Sequence, residues 1–98
     1  MVFGSHGERF AWDCRTVADL TPQHFEEIVR IKPELVILGS GPTLRFPPVA
    51  VLRPLIAAGI GVETMDSAAA CRTYNILAGE ARHVIGAILV APAAVDPT

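Results

Sequence analysis

Leu35-Val36-Ile37-Leu38-Gly39-Ser40-Gly41-Pro42 is the stretch on which the fold turns. Four consecutive apolar residues, two of them β-branched, lie between Pro33-Glu34 and a Gly-Ser-Gly-Pro loop. A short unbroken apolar run bounded by turn residues fits a strand buried on both faces, as at the centre of a parallel sheet. Upstream, Thr21-Pro22 predicts a helix start, because threonine can cap the first turn and proline at the first helical position gives up no hydrogen bond. Phe25, Ile28 and Val29 then form a buried stripe, Glu26, Glu27 and Arg30 face water, and Pro33 ends the helix.

Downstream, Pro47-Pro48 opens a second helix in which Val49, Leu52, Leu55 and Ile56 repeat at helical spacing up to a C-cap at Gly59. Pro54 inside it predicts a kink or a short, late-starting helix, since an interior proline removes a bond and crowds the preceding turn. Gly61 to Met65 reads as the next strand, and Asp66-Ser67 as the cap of a third helix running to Gly79. The small residues Ala68, Ala69, Ala70 and Cys71 allow close backbone packing in its first turns. Val84 to Val90 is a last apolar strand, residues 91–98 form a loose Pro- and Ala-rich tail, and Glu8 to Cys14 reads as a short edge strand. Strands alternating with helices give one α/β domain over residues 1–98, with right-handed crossovers between parallel neighbours.

Composition narrows the partners. The chain has 98 residues, eight basic and ten acidic, for a net charge of -2. It carries no basic block to neutralise phosphates, which argues against nucleic acid. Its longest apolar runs fall far short of the roughly 18 to 20 residues that span a bilayer, so no membrane span is expected. The first fifteen residues lack the basic start and apolar core of a secretory signal, and the cytoplasm is the default compartment. Cys14 and Cys71 are isolated and read as free thiols. His6, His24 and His83 stand apart without metal-ligand spacing, so neither a metal nor another cofactor is expected.

Ligands of open α/β sheets gather beyond the carboxyl ends of the strands, where Gly39-Ser40-Gly41-Pro42 and Met65-Asp66-Ser67 fall. Ser40 and Gly41 form either an anion cradle of backbone N–H groups or a tight strand-to-helix connection. The spacing matches no nucleotide motif, and Pro42 removes a donor. Asp66 is either a general acid or base or the helix cap, and Cys71 either a nucleophile at a helix start or a small buried residue against the sheet. Arg72, Tyr74 and Asn75 make either a binding face or ordinary structure, with Asn75 bonded inside and the Tyr74 hydroxyl reaching the surface. Phe46-Pro47-Pro48 is either an exposed docking wedge or a stiffener of the helix start. No catalytic set is complete.

Taken in order, Leu35 to Gly41, Arg45-Phe46-Pro47-Pro48, Ala57 to Glu63, Met65-Asp66 and Ala69 to Leu77 resemble one family of unknown function. That family includes a mitochondrial NADH dehydrogenase (complex I) assembly factor, an adipogenesis-associated protein and many bacterial members, and the resemblance spans roughly Leu20 to Val90. It implies a mixed sheet folded on itself with about three helices packed outside, some antiparallel pairing, no established enzymatic activity and no known cofactor. Against the family pattern, residues 1–15 read as a shortened N-terminus, and Ala81 stands where glycine is frequent before the last strand. The first functional reading is therefore a non-catalytic protein-interaction or assembly-factor-like role. The second is a small-molecule or anion-binding domain, or an enzyme, with its site at the Gly39–Gly41 loop and Asp66 to Arg72. A third is self-association through an exposed sheet edge, giving a homo-oligomer.

Overall fold

Residues 1–90 are described in a computed structural model; the expectation of a loose tail over 91–98 lies outside them. Five strands, β1 (Val2–Gly4), β2 (Arg9–Phe10), β3 (Leu35–Gly39), β4 (Gly61–Met65) and β5 (Val84–Ile88), form one sheet in the order β2-β1-β5-β3-β4. Three helices, α1 (Pro22–Val29), α2 (Val49–Ala57) and α3 (Ser67–Ala78), pack on it. β3 runs parallel to β4 and β5, whereas β1 is antiparallel to β5 and β2. The sheet is thus mixed, as the resemblance implied, with its antiparallel pairing at the N-terminal hairpin.

Alternation along the strands sorts the core into two layers. Val36 and Leu38 of β3 join Ile85, Ala87, Phe25, Ile28 and Leu55 beneath α1 and α2. Ile37, Val84 and Ile88 face the other way and pack with Ala70, Tyr74 and Leu77 of α3. β3 is the hinge between the layers, and Val36, Ile37 and Leu38 are each fully buried. Its parallel registers pair Gly39 with Met65 on one side and with Ile88 on the other, so three strand ends finish level.

Several boundaries depart from the sequence reading for local reasons. α2 starts at Val49, directly after the extended Pro48 (φ −59°, ψ 145°), and keeps Pro54 inside it rather than starting late enough to avoid it. Pro54 deprives only the first-turn carbonyl of Ala50 of a helical donor, and Ala50 is exposed. The edge strand shrinks from Glu8–Cys14 to Arg9–Phe10, while β1 forms from Val2, Phe3 and Gly4 against Ala87, Gly86 and Ile85. The last strand ends at Ile88 rather than Val90.

Ala81, just before β5, has φ 61°, in the left-handed region where an L-residue is strained by about 1–2 kcal/mol. Ala81→Gly removes that strain and adds back some unfolded-state entropy, for an expected net gain of about 1 kcal/mol. In a thermal melt the variant should unfold roughly 4–8 °C higher than the parent.

Candidate functional site

The level strand ends are tied together by a compact set of hydrogen bonds. The Ser40 amide donates to the Met65 carbonyl at 2.8 Å, and the Leu89 amide to the Gly39 carbonyl at 2.9 Å. Ser67, the first residue of α3, receives the Gly41 amide on its Oγ at 2.9 Å and donates that hydroxyl to the Leu89 carbonyl at 2.6 Å. Its own amide donates to the Gly41 carbonyl at 2.8 Å. Ser40, only 4% exposed, donates its hydroxyl to the Thr43 carbonyl and accepts the Arg45 amide at 3.0 Å.

These bonds decide what the loop can do. An anion cradle needs convergent free N–H groups. The amides of Ser40, Gly41 and Arg45 are all engaged within the protein, and Pro42 has none. Ser40 and Gly41 therefore act as a strand-to-helix connector. They also line a groove of about 750 Å³, together with Val17, Leu20, Arg45, Phe46 and Val51. Arg15 and Arg45 are the charged residues of its lining, and neither takes part in an ion pair among the described residues.

The other anticipated residues do not reach this groove. Asp66 caps α3, its Oδ1 accepting the Ala69 amide at 2.9 Å. Cys71 is exposed, which corrects its reading as a residue sealed against the sheet. The inward stripe of α3 is instead Ala70, Tyr74 and Leu77, spaced by four and three, and Cys71 lies a step of 100° away from it. Arg72 and Asn75 are exposed beside Cys71, so Asn75 is not an internal bonding group. Tyr74 packs edge-on against Phe3 (ring centroids 4.6 Å), and burial followed by the nearby Glu8 charge pushes its hydroxyl pKa up. Phe46 is 70% exposed and Pro47 buried, so the segment both stiffens the start of α2 and presents an aromatic wedge.

Histidines thought to stand apart are each gathered with other side chains. His24 accepts the Thr21 amide on Nδ1 at 3.0 Å, closing the first turn of α1. Its ring hydrogen is thereby placed on Nε2, which donates to Asp13 Oδ1 at 2.7 Å. This pair borders a second hollow of about 930 Å³, walled also by Trp12, Arg15, Asp19 and Glu27. At the opposite end of the sheet, His83 Nε2 lies 2.7 Å from Glu8 Oε2, and the His6 ring stacks on His83. Linear spacing gives no signal for that meeting: β1 pairs with β5 across most of the chain.

Three carboxylates titrate below their ordinary range. Partial burial opposes the charge on Glu8, but its own amide, the His83 side chain and the His6 amide outweigh that and lower its pKa. Asp13 is lowered first by its bond to His24, and Asp19 by the amides of Arg15 and Thr16. A depressed native pKa gives stability that is fully present above the unfolded value, about 4 for such groups, and lost as pH falls through the native value. Urea midpoints should therefore be flat from pH 7 to about 5 and drop below that. Glu8→Gln should show a lower midpoint at pH 7 and a shallower acid decline.

Level strand ends, two core layers and a groove beside the connector define a small mixed α/β domain. The chain belongs to the family described as "Protein of unknown function (DUF498/DUF598)", which it matches over residues 1–89. It is 38% identical over 84 residues to NADH dehydrogenase (ubiquinone) 1 alpha subcomplex assembly factor 3 of Bos taurus, covering 83% of this chain and 45% of that one. It is 32% identical over 68 residues to the "13 kDa major membrane protein" of Francisella tularensis, covering 69% and 55%. The chain thus spans about half the length of the curated relatives it matches. Among solved structures, a Bordetella parapertussis protein superposes with a TM-score of 0.83 at 37% identity, covering 90% of this chain and 75% of its own. A Mth938-like domain from Bordetella pertussis gives 0.79 at 29%, covering 90% and 71%. No helix among the described residues is long and apolar enough to cross a membrane.

Proposed function

We propose that this protein acts by contact with another protein, in an assembly-factor-like role, through the surface where β3 passes into α2. One observation carries the reading: Leu44, Phe46 and Val49 are 52%, 70% and 66% exposed, within a few residues of one another and beside Arg45, which forms no ion pair among the described residues. Aromatic and arginine side chains are the commonest anchors of protein interfaces, and clustered exposed apolar groups mark such surfaces. Among the described residues the groove alongside is lined by arginines and no acidic residue, so the fitting partner segment combines apolar side chains with a carboxylate. The relation to an assembly factor supports the same reading.

The test is capture from native lysate by three immobilised forms: parent, Arg45→Glu with Phe46→Glu, and Arg72→Glu on α3. A protein retained by the parent and by Arg72→Glu should fall at least about tenfold with the double variant, as loss of central anchors implies. Retention by the double variant together with loss in Arg72→Glu moves the interface to α3 and overturns the proposal. A second reading, binding of an anionic small molecule, is favoured by the size of the groove and its two arginines. It predicts that citrate raises the melting temperature of the parent and leaves Arg45→Glu unchanged.

A further inference from the structure

We propose that His6, Glu8 and His83 form a binding site for a divalent late transition metal of the zinc class, at the end of the sheet opposite the groove. The candidate ligand atoms, one from each residue, lie within 4.8 Å of one another. Two imidazoles and one carboxylate make the three-ligand set of an open zinc site, with the fourth position left for water. Such nitrogen-rich sets select zinc, copper or nickel over magnesium or calcium, which want all-oxygen cages.

The fold builds this cluster rather than leaving it to chance on the surface. His6 and Glu8 flank the tip of the β1–β2 hairpin, and His83 immediately precedes β5. The hairpin is pinned to β5 by Ser5, whose hydroxyl donates to the Arg82 carbonyl at 2.7 Å and accepts the Val84 amide at 2.9 Å. The Glu8 carboxylate is folded inward over Gly4, where any Cβ would collide with Oε1. Oε1 accepts the His6 amide at 3.1 Å, which leaves Oε2 aimed at His83 Nε2, 2.7 Å away. Both of those side chains are more than four-fifths buried, at 17% and 19% exposure.

Ligand atoms around a four-coordinate zinc stand about 3.4 Å apart, so His83 Nε2 and Glu8 Oε2, now 2.7 Å apart, have to spread by about 0.7 Å while the His6 nitrogen turns toward them. His6 supplies that freedom: it is exposed, and its ring lies flat on His83 with centroids 3.8 Å apart and planes 9° from parallel. Rotation of the His6 ring off His83 brings its nitrogen toward the carboxylate. The metal replaces the hydrogen now bridging Nε2 and Oε2, which passes to Nδ1 of a neutral ring or to solvent from a charged one. The competing group, Asp13, Cys14 and His24, is poorer, because burial raises the Cys14 thiol and His24 Nδ1 is held by Thr21.

The test uses the full, untagged chain titrated with Zn2+ by calorimetry and with Co2+ by visible absorption. Four forms are compared: parent, His6→Ala, His83→Gln and His24→Gln. The parent and His24→Gln should each bind one equivalent of Zn2+, and Co2+ should give d–d absorption. His6→Ala, which alters an exposed side chain and leaves the fold intact, and His83→Gln should each weaken binding by at least about tenfold. Absence of one-equivalent binding by the folded parent, or binding lost in His24→Gln and kept in His6→Ala, would overturn the assignment.

Discussion

Truncating Phe25 to alanine is expected to cost about 3–5 kcal/mol, a large part of the roughly 5–15 kcal/mol that holds a domain of this size together. Phe25 is fully buried, and its ring meets Trp12 edge-on with centroids 5.4 Å apart. It sits in the layer shared by α1, α2, Val36, Leu38 and Ile85, so the lost ring leaves a cavity against the sheet that no exposed side chain can fill. In urea the midpoint should fall sharply with little change in slope, and the melting temperature should drop by at least about 12 °C. Phe46→Ala is the matched control: the same truncation at a 70% exposed site should change stability by no more than about 0.5 kcal/mol. Equal losses at the two positions would mean that the α1 layer is not the core described.

Gly39→Ala should cost about 1–3 kcal/mol, the penalty for overpacking a filled site. A Cβ at Gly39 would lie 2.9 Å from Ser67 Oγ, 3.0 Å from Ser67 Cα and 3.1 Å from the Ala70 Cβ. One of these is backbone and another is a methyl on a helix, so α3 itself must move. The Ser67 hydroxyl that joins the Gly41 amide to the Leu89 carbonyl moves with it. Amide exchange at Gly41 and Leu89 should accelerate in the variant more than exchange at Gly4, which lies at the other end of the sheet. Uniform acceleration across the sheet would instead point to global destabilisation without a specific junction.

The parts of the fold written in the sequence are those whose signals are local. Leu35 to Leu38 fits a strand buried on both faces, and Val36, Ile37 and Leu38 are fully buried. Thr21-Pro22 and Asp66-Ser67 cap α1 and α3 where expected, because capping depends on residues within one turn. β1 was not legible: three residues carry no periodicity, and their partners Ala87, Gly86 and Ile85 lie at the far end of the chain. The orientation of α3 was equally obscure, since an alanine-rich start gives every face similar hydropathy. Only the spacing of Ala70, Tyr74 and Leu77 distinguishes the inner stripe, and it leaves Cys71 outside.

The candidate site was legible only in its location. Ser40 and Gly41 do lie at the strand ends beside the groove, but no sequence pattern says that their amides are engaged by Met65 and Ser67. The arginine contributed by residue 15 reaches that groove from a turn before α1, and the apolar cluster of Leu44, Phe46 and Val49 is exposed because the prolines fix the connection to α2. The triad of His6, Glu8 and His83 arises from antiparallel pairing between opposite ends of the chain.

The most direct test of the account is photo-crosslinking in native cells with a crosslinking amino acid placed at position 46 or at position 76. Both positions are well exposed, Phe46 at 70% and Ile76 at 64%, and they lie on α2's approach and on α3, on opposite faces of the sheet. The account predicts a discrete protein adduct from position 46 and none from position 76. A discrete adduct from position 76 alone would contradict it.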